Sequence, residues 1–156
     1  MLSKNHISLL FAVGFLAFAA VPAASAAGKH ANSVTFLRAV NAARTARGLR
    51  PLRLDARLGA AARSWSVSLL RSNSFTHGDF AGRMHRFGIA GAAAENLAWV
   101  SGRSARPRSV VAMWLASPGH RANLLRPSYR RIGIGVARGT FRGSGAAAVV
   151  TADFDG

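Results

Sequence analysis

The sequence contains no cysteine and only five acidic residues, and both shortages limit what the protein can be. Without cysteine it has no disulfides, so its stability must come from apolar packing. A chain of 156 residues can bury a core of that kind as one domain. After the N-terminal segment, no apolar run approaches the roughly 20 residues that a membrane-spanning helix needs. These absences leave a small basic domain stabilised by its core.

The shortage of acidic residues gives the chain a formal net charge of +16, carried mostly by arginine. A field of that sign attracts polyanions such as acidic wall polymers, anionic lipid surfaces or nucleic acid. The arginines are scattered and form no dense run, which does not favour specific nucleic-acid binding. A GC-rich coding sequence would produce the same abundance of Ala, Gly and Arg. Polyanion binding is therefore one alternative among several.

The N-terminal segment has the features of a secretory signal. Lys4 precedes an apolar stretch from Ile7 to Ala20, Pro22 interrupts it, and Ala24-Ser25-Ala26 is a small-x-small cleavage pattern. An uncleaved anchor is the alternative. We expect cleavage near Ala26 and a protein secreted to the extracellular space or cell envelope. The prediction divides the chain into a signal peptide over 1–26, a short flexible lead over 27–32 and a single domain over 33–156.

Apolar periodicity predicts helices first and strands last. Caps, stops and proline positions predict a helix over Ser33–Arg47, a helix from Asp55 to Asn73, a short helix over Ala81–Phe87, a helix from Pro107, and a short helix that Ser117 caps and Pro118 begins. A two-residue rhythm predicts strands over Ile132–Val136 and Ala147–Phe154, with a further strand over Glu95–Val100. This order indicates an α+β domain with helices packed on a small sheet.

Five side chains attract chemical interest: His77, Asp79, Glu95, Ser117 and His120. Glu95 lies between small and apolar residues, so we expect it to be partly buried and to need an arginine, a histidine or a metal as partner. His120 lies at the start of a short helix, whose positive end favours a neutral imidazole that could accept a proton or bind a metal. A structural histidine is equally open. Ser117 suggests a nucleophile three residues before His120, but helix capping explains it better.

The chain resembles the CAP superfamily, also called SCP-like: cysteine-rich secretory proteins, antigen 5 and pathogenesis-related proteins. It is most similar to the bacterial, cysteine-free branch. The resemblance runs over about residues 33 to 154. The matching residues are Leu37-x-x-Val40-Asn41-x-x-Arg44, Leu52-x-Leu54-Asp55-x-x-Leu58, Phe75-x-His77, Glu95-Asn96-Leu97-Ala98, Trp114 through Leu125, Tyr129, Ile132-Gly133-Ile134-Gly135 and Thr151-Ala152-Asp153-Phe154.

The resemblance implies an α-β-α sandwich, with helices flanking a three- to four-stranded antiparallel sheet. It also implies a cleft lined by two histidines and two acids. His77, Glu95 and His120 match three of those positions, whereas Ser117 stands where the second acid is usual. Asp79 or a water would then be the remaining substitute, and we do not favour Asp79.

The resemblance leaves the activity open. We expect a non-enzymatic binding module whose cleft contains His77, Glu95, His120 and Ser117. Its ligand would be lipid-like, sterol-like or an anionic polymer. One alternative is a metal-assisted hydrolase of peptide or cell-wall material, in which His77 and His120 hold Zn²⁺ or a similar ion and Glu95 is the general base. A basic polyanion- or lipid-binding protein is the second alternative.

Overall fold

A computed structural model describes the chain from Ala23 to Gly156, without the side chains of residues 23–31 and Arg103. Five α-helices and four strands make up most of these residues. In chain order they are α1 (Ala23–Thr45), β1 (Arg53–Leu54), α2 (Ala56–Ser72), α3 (Phe80–Arg86), β2 (Ala93–Ser101), α4 (Pro107–Ala116), α5 (Pro118–Leu124), β3 (Arg131–Phe141) and β4 (Ser144–Asp155). No helix within this range is long and apolar enough to cross a membrane.

The four strands form one sheet in the order β1-β3-β4-β2. Strands β3 and β4 make the predicted antiparallel hairpin, and β2 pairs antiparallel to β4. The short strand β1 runs parallel to β3. The sheet is therefore mixed, and the expectation of a purely antiparallel sheet is wrong. Between β1 and β3 the chain passes through α2 to α5, a connection long enough for β3 to return beside β1 and run in the same direction.

Helices cover both faces of this sheet, as the α-β-α expectation requires. Alternate residues of β4 divide between the faces: Val150 and Phe154 pack in the main core against α1, α4 and α5. Val149 faces Leu69 of α2 in a second cluster, and the Thr151 hydroxyl bonds Ser66 of α2 at 2.9 Å. We call the two sides the α1 layer (α1, α4 and α5) and the α2 layer (α2 and α3).

Two glycines of β3 let α2 approach the sheet closely. A Cβ at Gly133 would lie 2.0 Å from the Leu58 carbonyl carbon, and one at Gly135 would lie 2.3 Å from that of Ala62. Such distances are far inside van der Waals contact. The Gly-x-Gly alternation in the sequence is therefore a packing requirement of α2 on the sheet.

The positions of the predicted elements are confirmed and the bounds of α2 match best, whereas β3 continues to Phe141, beyond its predicted end at Val136. Asp55 caps it by accepting from the backbone N–H groups of Arg57 and Leu58, both at 2.9 Å, and Asn73 ends it in the left-handed conformation. Helix α3 begins at Phe80, one residue earlier than predicted, and Asp79 caps it. Pro107 and Pro118 begin α4 and α5 as expected.

The N-terminal boundary of α1 differs from the prediction. The helix starts at Ala23, so residues 27–32, expected to be a flexible lead, are helical. Alanine-rich sequence has high helix propensity, which outweighs the start signal at Ser33. The Ser33 hydroxyl instead donates to the Ile134 carbonyl of β3 at 3.3 Å. Most of the predicted signal peptide, residues 1–22, lies outside the described residues, and its cleavage stays a prediction.

Candidate functional site

The candidate site is built around β2, an edge strand of the sheet. Successive residues of a strand point to opposite faces, so Glu95 faces the α2 layer and Asn96 faces the α1 layer. His77, from the loop between α2 and α3, approaches on the Glu95 side. His120 of α5 approaches on the Asn96 side. The edge of the sheet thus separates the two halves of the site.

Glu95 is engaged through both carboxylate oxygens. Oε1 lies 2.7 Å from Nδ1 of His77, and Oε2 accepts from Nη2 of Arg83. The side chain of Glu95 is only 2% exposed, whereas that of His77 is 57% exposed. An ionised carboxylate accepts hydrogen bonds, so His77 donates through Nδ1 and keeps Nε2 for a ligand. The buried Glu95 carboxylate therefore fixes the orientation of the exposed His77 ring.

Arg83 of α3 is the buried cation of this half-site. Its guanidinium lies 4.3 Å from the Trp65 ring centroid, and Nη1 donates to the His77 carbonyl at 3.3 Å. Arg83 thus contacts both the acid and the backbone that carries the imidazole. The sequence offered arginine as one possible partner for Glu95, but nothing in its pattern selected Arg83.

Asp153 of β4 is a second buried acid beside Glu95. The two residues are directly paired across the strands, so their side chains share one face at close range. Asp153 is fully buried, and neither of its carboxylate oxygens has a hydrogen-bond partner among the described residues. Burial, reinforced by the negative charge of Glu95, raises the pKa of Asp153 to about 8, and Arg83 opposes the shift. Asp153 is therefore mainly protonated at neutral pH.

The pKa of Glu95 is also subject to opposing effects. Burial raises the pKa of Glu95, while the His77 hydrogen bond and then the charge of Arg83 act in the opposite direction. The two carboxylates thus share one guanidinium in the buried α2 layer. Retaining one proton on the pair avoids an uncompensated buried charge.

His120 and Ser117 form the other half of the site. Nδ1 of His120 lies 3.0 Å from Oγ of Ser117. Ser117 is at the N-cap of α5, but its side chain makes no capping hydrogen bond, so the predicted capping role of the hydroxyl is wrong. The i, i+3 geometry of the first turn brings the imidazole to the hydroxyl instead. Burial, then the charge of His77, lowers the pKa of His120, in the direction of the expected neutral ring.

Side-chain amides join the two halves. Asn96 donates to the His120 carbonyl at 2.9 Å, and Asn123 of α5 donates to Asn96 Oδ1 at 3.0 Å and to the Glu95 carbonyl at 3.3 Å. The Trp114 indole donates to the Leu97 carbonyl at 3.0 Å. These bonds satisfy outward carbonyls of the edge strand and fix α4 and α5 against it.

The site fits a resident metal poorly. Among the side chains that the structure describes, no group of three or more His, Asp or Glu is placed to hold an ion. Glu95 already uses both oxygens on His77 and Arg83, so a metal would have only Nε2 of His77 and His120 as protein ligands. Catalytic zinc sites normally have three protein ligands. Metal binding by His77 and His120 stays a prediction, which the metal content of the purified protein would test.

Asp79 is not part of the site. Its Oδ1 accepts from the Gly82 backbone at 2.8 Å, and its exposed carboxylate lies 3.7 Å from Arg86. The acid that was not assigned to the site from the sequence is Asp153. It was part of the matching motif Thr151-Ala152-Asp153-Phe154, and a further signal was its place in the otherwise uncharged segment from Val149 to Phe154, where an acid is unusual.

A groove lies on the opposite face of α5 from the β2 edge. It has a volume of about 630 Å³. Its lining is mostly apolar and also contains two arginines: Leu115, Ala116, Pro118, Arg121, Ala122, Leu125, Arg126 and Pro127. Met113, 47% exposed, lies one turn before Ala116 on α4 and extends the apolar surface. Pockets of this size and lining accommodate small ligands.

Comparison with known proteins identifies the family. The model of the cysteine-rich secretory protein family, CAP, matches residues 37–154. A curated relative, the uncharacterised protein YkwD of Bacillus subtilis, is 39% identical over 101 residues, which cover 61% of this chain and 38% of the relative. This chain therefore spans well under half the length of that relative.

Solved structures share the fold. An extracellular protein of Bacillus anthracis containing an SCP domain superposes with a TM-score of 0.66 at 24% identity, covering 80% of this chain and 40% of the other. An outer surface protein of Borrelia burgdorferi gives a TM-score of 0.61 at 24% identity, with 75% of this chain and 87% of the other covered. At these identities the likeness supports the fold alone.

Proposed function

Because the chain belongs to the cysteine-rich secretory protein (CAP) family, we propose that it is a secreted, non-enzymatic binding module of the extracellular space or cell envelope. The signal peptide expected over residues 1–26 favours that location, and an extracellular and an outer-surface protein are among the proteins that share this fold. The observation that carries the binding role is the apolar groove beside α5. The polar residues His77, Glu95 and His120 lie along the β2 edge, away from this groove.

The groove supports an apolar ligand of modest size. Its volume of about 630 Å³ falls within the range of small-molecule sites. Leu115, Ala122 and Leu125 supply an apolar lining, and Arg121 and Arg126 supply charge at its border. This combination favours a lipid-like or sterol-like ligand, and it favours one with a negative end.

A groove-filling variant tests this proposal. We expect an apolar, anionic dye such as 1-anilinonaphthalene-8-sulfonate to bind the native protein, and Ala122→Trp to reduce its affinity at least about tenfold by occupying the space. Ala81→Trp, at an exposed position of α3, is the matched control. Equal dye binding by both variants and the native protein would exclude the groove as the ligand site.

The metal-assisted hydrolase remains an alternative proposal, but the surroundings of Glu95 do not favour it. A general base must reach the proton it removes, and this carboxylate is buried and held by two partners. The test is chelation and zinc restoration of purified protein with peptide and cell-wall substrates. Chelator-sensitive turnover that Glu95→Gln abolishes would establish the hydrolase. Metal analysis of a His77→Ala/His120→Ala variant beside the native protein decides whether the imidazoles bind an ion.

A further inference from the structure

The two helical layers carry very different charge. All five acidic residues of the chain belong to the α2 layer. Asp55 and Asp79 cap α2 and α3, and the three others are on strand positions that face those helices. Glu95 and Asp153 pair across β2 and β4, and Asp155 lies two residues further along the same face of β4.

The α1 layer therefore contains arginine without any acid. Its arginines lie on α1, α4, α5 and their connecting loops: Arg38, Arg44, Arg47, Arg50, Arg106, Arg108, Arg121, Arg126 and Arg130. The ion pairs of the described residues, by contrast, are all in the α2 layer or at its border. The excess charge of the protein is thus concentrated on one side.

Arg44 of α1 is the centre of this positive layer. It is fully buried, and its guanidinium donates only to backbone carbonyls: Arg50 at 2.9 Å, Leu124 at 2.9 Å, Arg126 at 3.2 Å and Tyr129 at 3.5 Å. Burial, then the charge of Arg130, lowers the pKa of Arg44. The carbonyls solvate the cation but do not cancel its charge.

The same hydrogen bonds gather exposed arginines around Arg44. They fix the backbone of Arg50 and Arg126, and Arg130 is close enough to interact electrostatically with Arg44. Arg121 and Arg126 both border the groove beside α5. We call Arg50, Arg121, Arg126 and Arg130 the arginine rim. All four are exposed, and no acid in the described part of the chain forms an ion pair with any of them.

We propose that the arginine rim is a docking surface for a linear polyanion that bears phosphate groups in series. Guanidinium groups donate in a planar fork that matches phosphate oxygens, and a chain of phosphates can contact several guanidiniums at once. A second copy of this protein does not fit, because like charges repel. The location that the proposed function gives the protein favours an envelope polymer over nucleic acid. The inference extends that function and does not require the apolar groove.

A pair of charge-matched variants tests whether the polyanion binds at the arginine rim. One carries Arg→Gln at the four rim positions, and the other carries Arg→Gln at Arg57, Arg63, Arg71 and Arg86 of the α2 layer. The probe is long-chain inorganic polyphosphate, titrated across a salt series. We expect the rim variant to bind polyphosphate at least about tenfold more weakly. The slope of log K against log salt concentration should fall in magnitude by up to about four, one for each lost contact. The control variant should retain most of the affinity.

Each other outcome overturns the proposal. Equal losses in the two variants would mean that net charge alone drives binding, and native affinity in the rim variant would exclude the rim. Rim-dependent binding of anionic vesicles without binding of polyphosphate would assign the surface to a membrane, and a preference for single-stranded DNA over polyphosphate would assign it to nucleic acid. If the fourfold variant fails to fold, Arg50→Gln/Arg126→Gln and Arg121→Gln/Arg130→Gln replace it. The dye reports on the groove and polyphosphate reports on the rim, so the two proposals can fail separately.

Discussion

The two faces of the sheet contain buried arginines that are held in opposite ways. Arg83, in the α2 layer, contacts Glu95 and lies near Asp153. Arg44, in the α1 layer, contacts only carbonyls. The first arrangement depends on the protonation of acids, and the second does not. A buried cation can therefore be stabilised by ionised acids or by peptide dipoles. Only stabilisation by acids makes the free energy of unfolding depend on pH.

The largest effect should come from removing either buried guanidinium. We expect Arg83→Met to lower the free energy of unfolding by about 3–5 kcal/mol at neutral pH, because it leaves the buried Glu95 carboxylate without its cation. The loss should shrink as the pH is lowered and Glu95 becomes protonated. Arg44→Met should also destabilise, since it leaves carbonyls without donors, but with a loss that is the same across acidic and neutral pH. Denaturant unfolding of both variants at several pH values checks this, and parallel pH profiles would contradict the comparison.

A smaller loss should follow from adding one methyl group between α2 and the sheet. Gly133→Ala places a Cβ 2.0 Å from the Leu58 backbone, so we expect a loss of about 3 kcal/mol from overpacking. Gly145→Ala, with no atom within 4 Å, is the matched control. On the other face, Ile134→Val should cost about 1 kcal/mol. Thermal or denaturant unfolding measures all three, and a tolerated Gly133→Ala would show that α2 can move.

Asp153 should give a gradual effect that is spread over several pH units. Its pKa is about 8 in the folded protein and 3.8 ordinarily, so the folded state binds more protons over that window. Asp153 should therefore contribute a fall in the free energy of unfolding as the pH rises from about 4 to 8, on the order of 1 kcal/mol per pH unit at most. Asp153→Asn should flatten this slope and be relatively stabilised at pH 9. Unfolding at pH 5, 7 and 9 checks the sign, and identical slopes would contradict it.

Local signals predicted the elements that local chemistry controls. The bounds of α2 followed from Asp55 and Asn73 because caps act within one turn. The hairpin followed from two-residue alternation. Ser117 shows the limit of local signals. Its hydroxyl could cap α5 or contact His120, and in the structure it contacts His120. At α1, propensity extended the helix past an internal start signal.

The site was only partly predictable. His77, Glu95 and Ser117 with His120 were selected by the sequence and its resemblance, and the structure brings His77 to Glu95 and Ser117 to His120. Arg83 and Asp153 were missed because each reaches Glu95 through tertiary placement, one from α3 and the other across a strand pair. Sequence spacing carries no information about which strand lies beside β2.

The sequence by itself determined the charge, the lack of disulfides, the helix caps and the alternation of the strands, because each depends on composition or on neighbours within a few residues. The tertiary structure alone decided that β1 runs parallel to β3, that all five acids share one layer, and that Arg44 and Arg83 are buried on opposite faces. Those outcomes depend on which face of the sheet each helix covers, and that choice is made by packing between residues far apart in the chain.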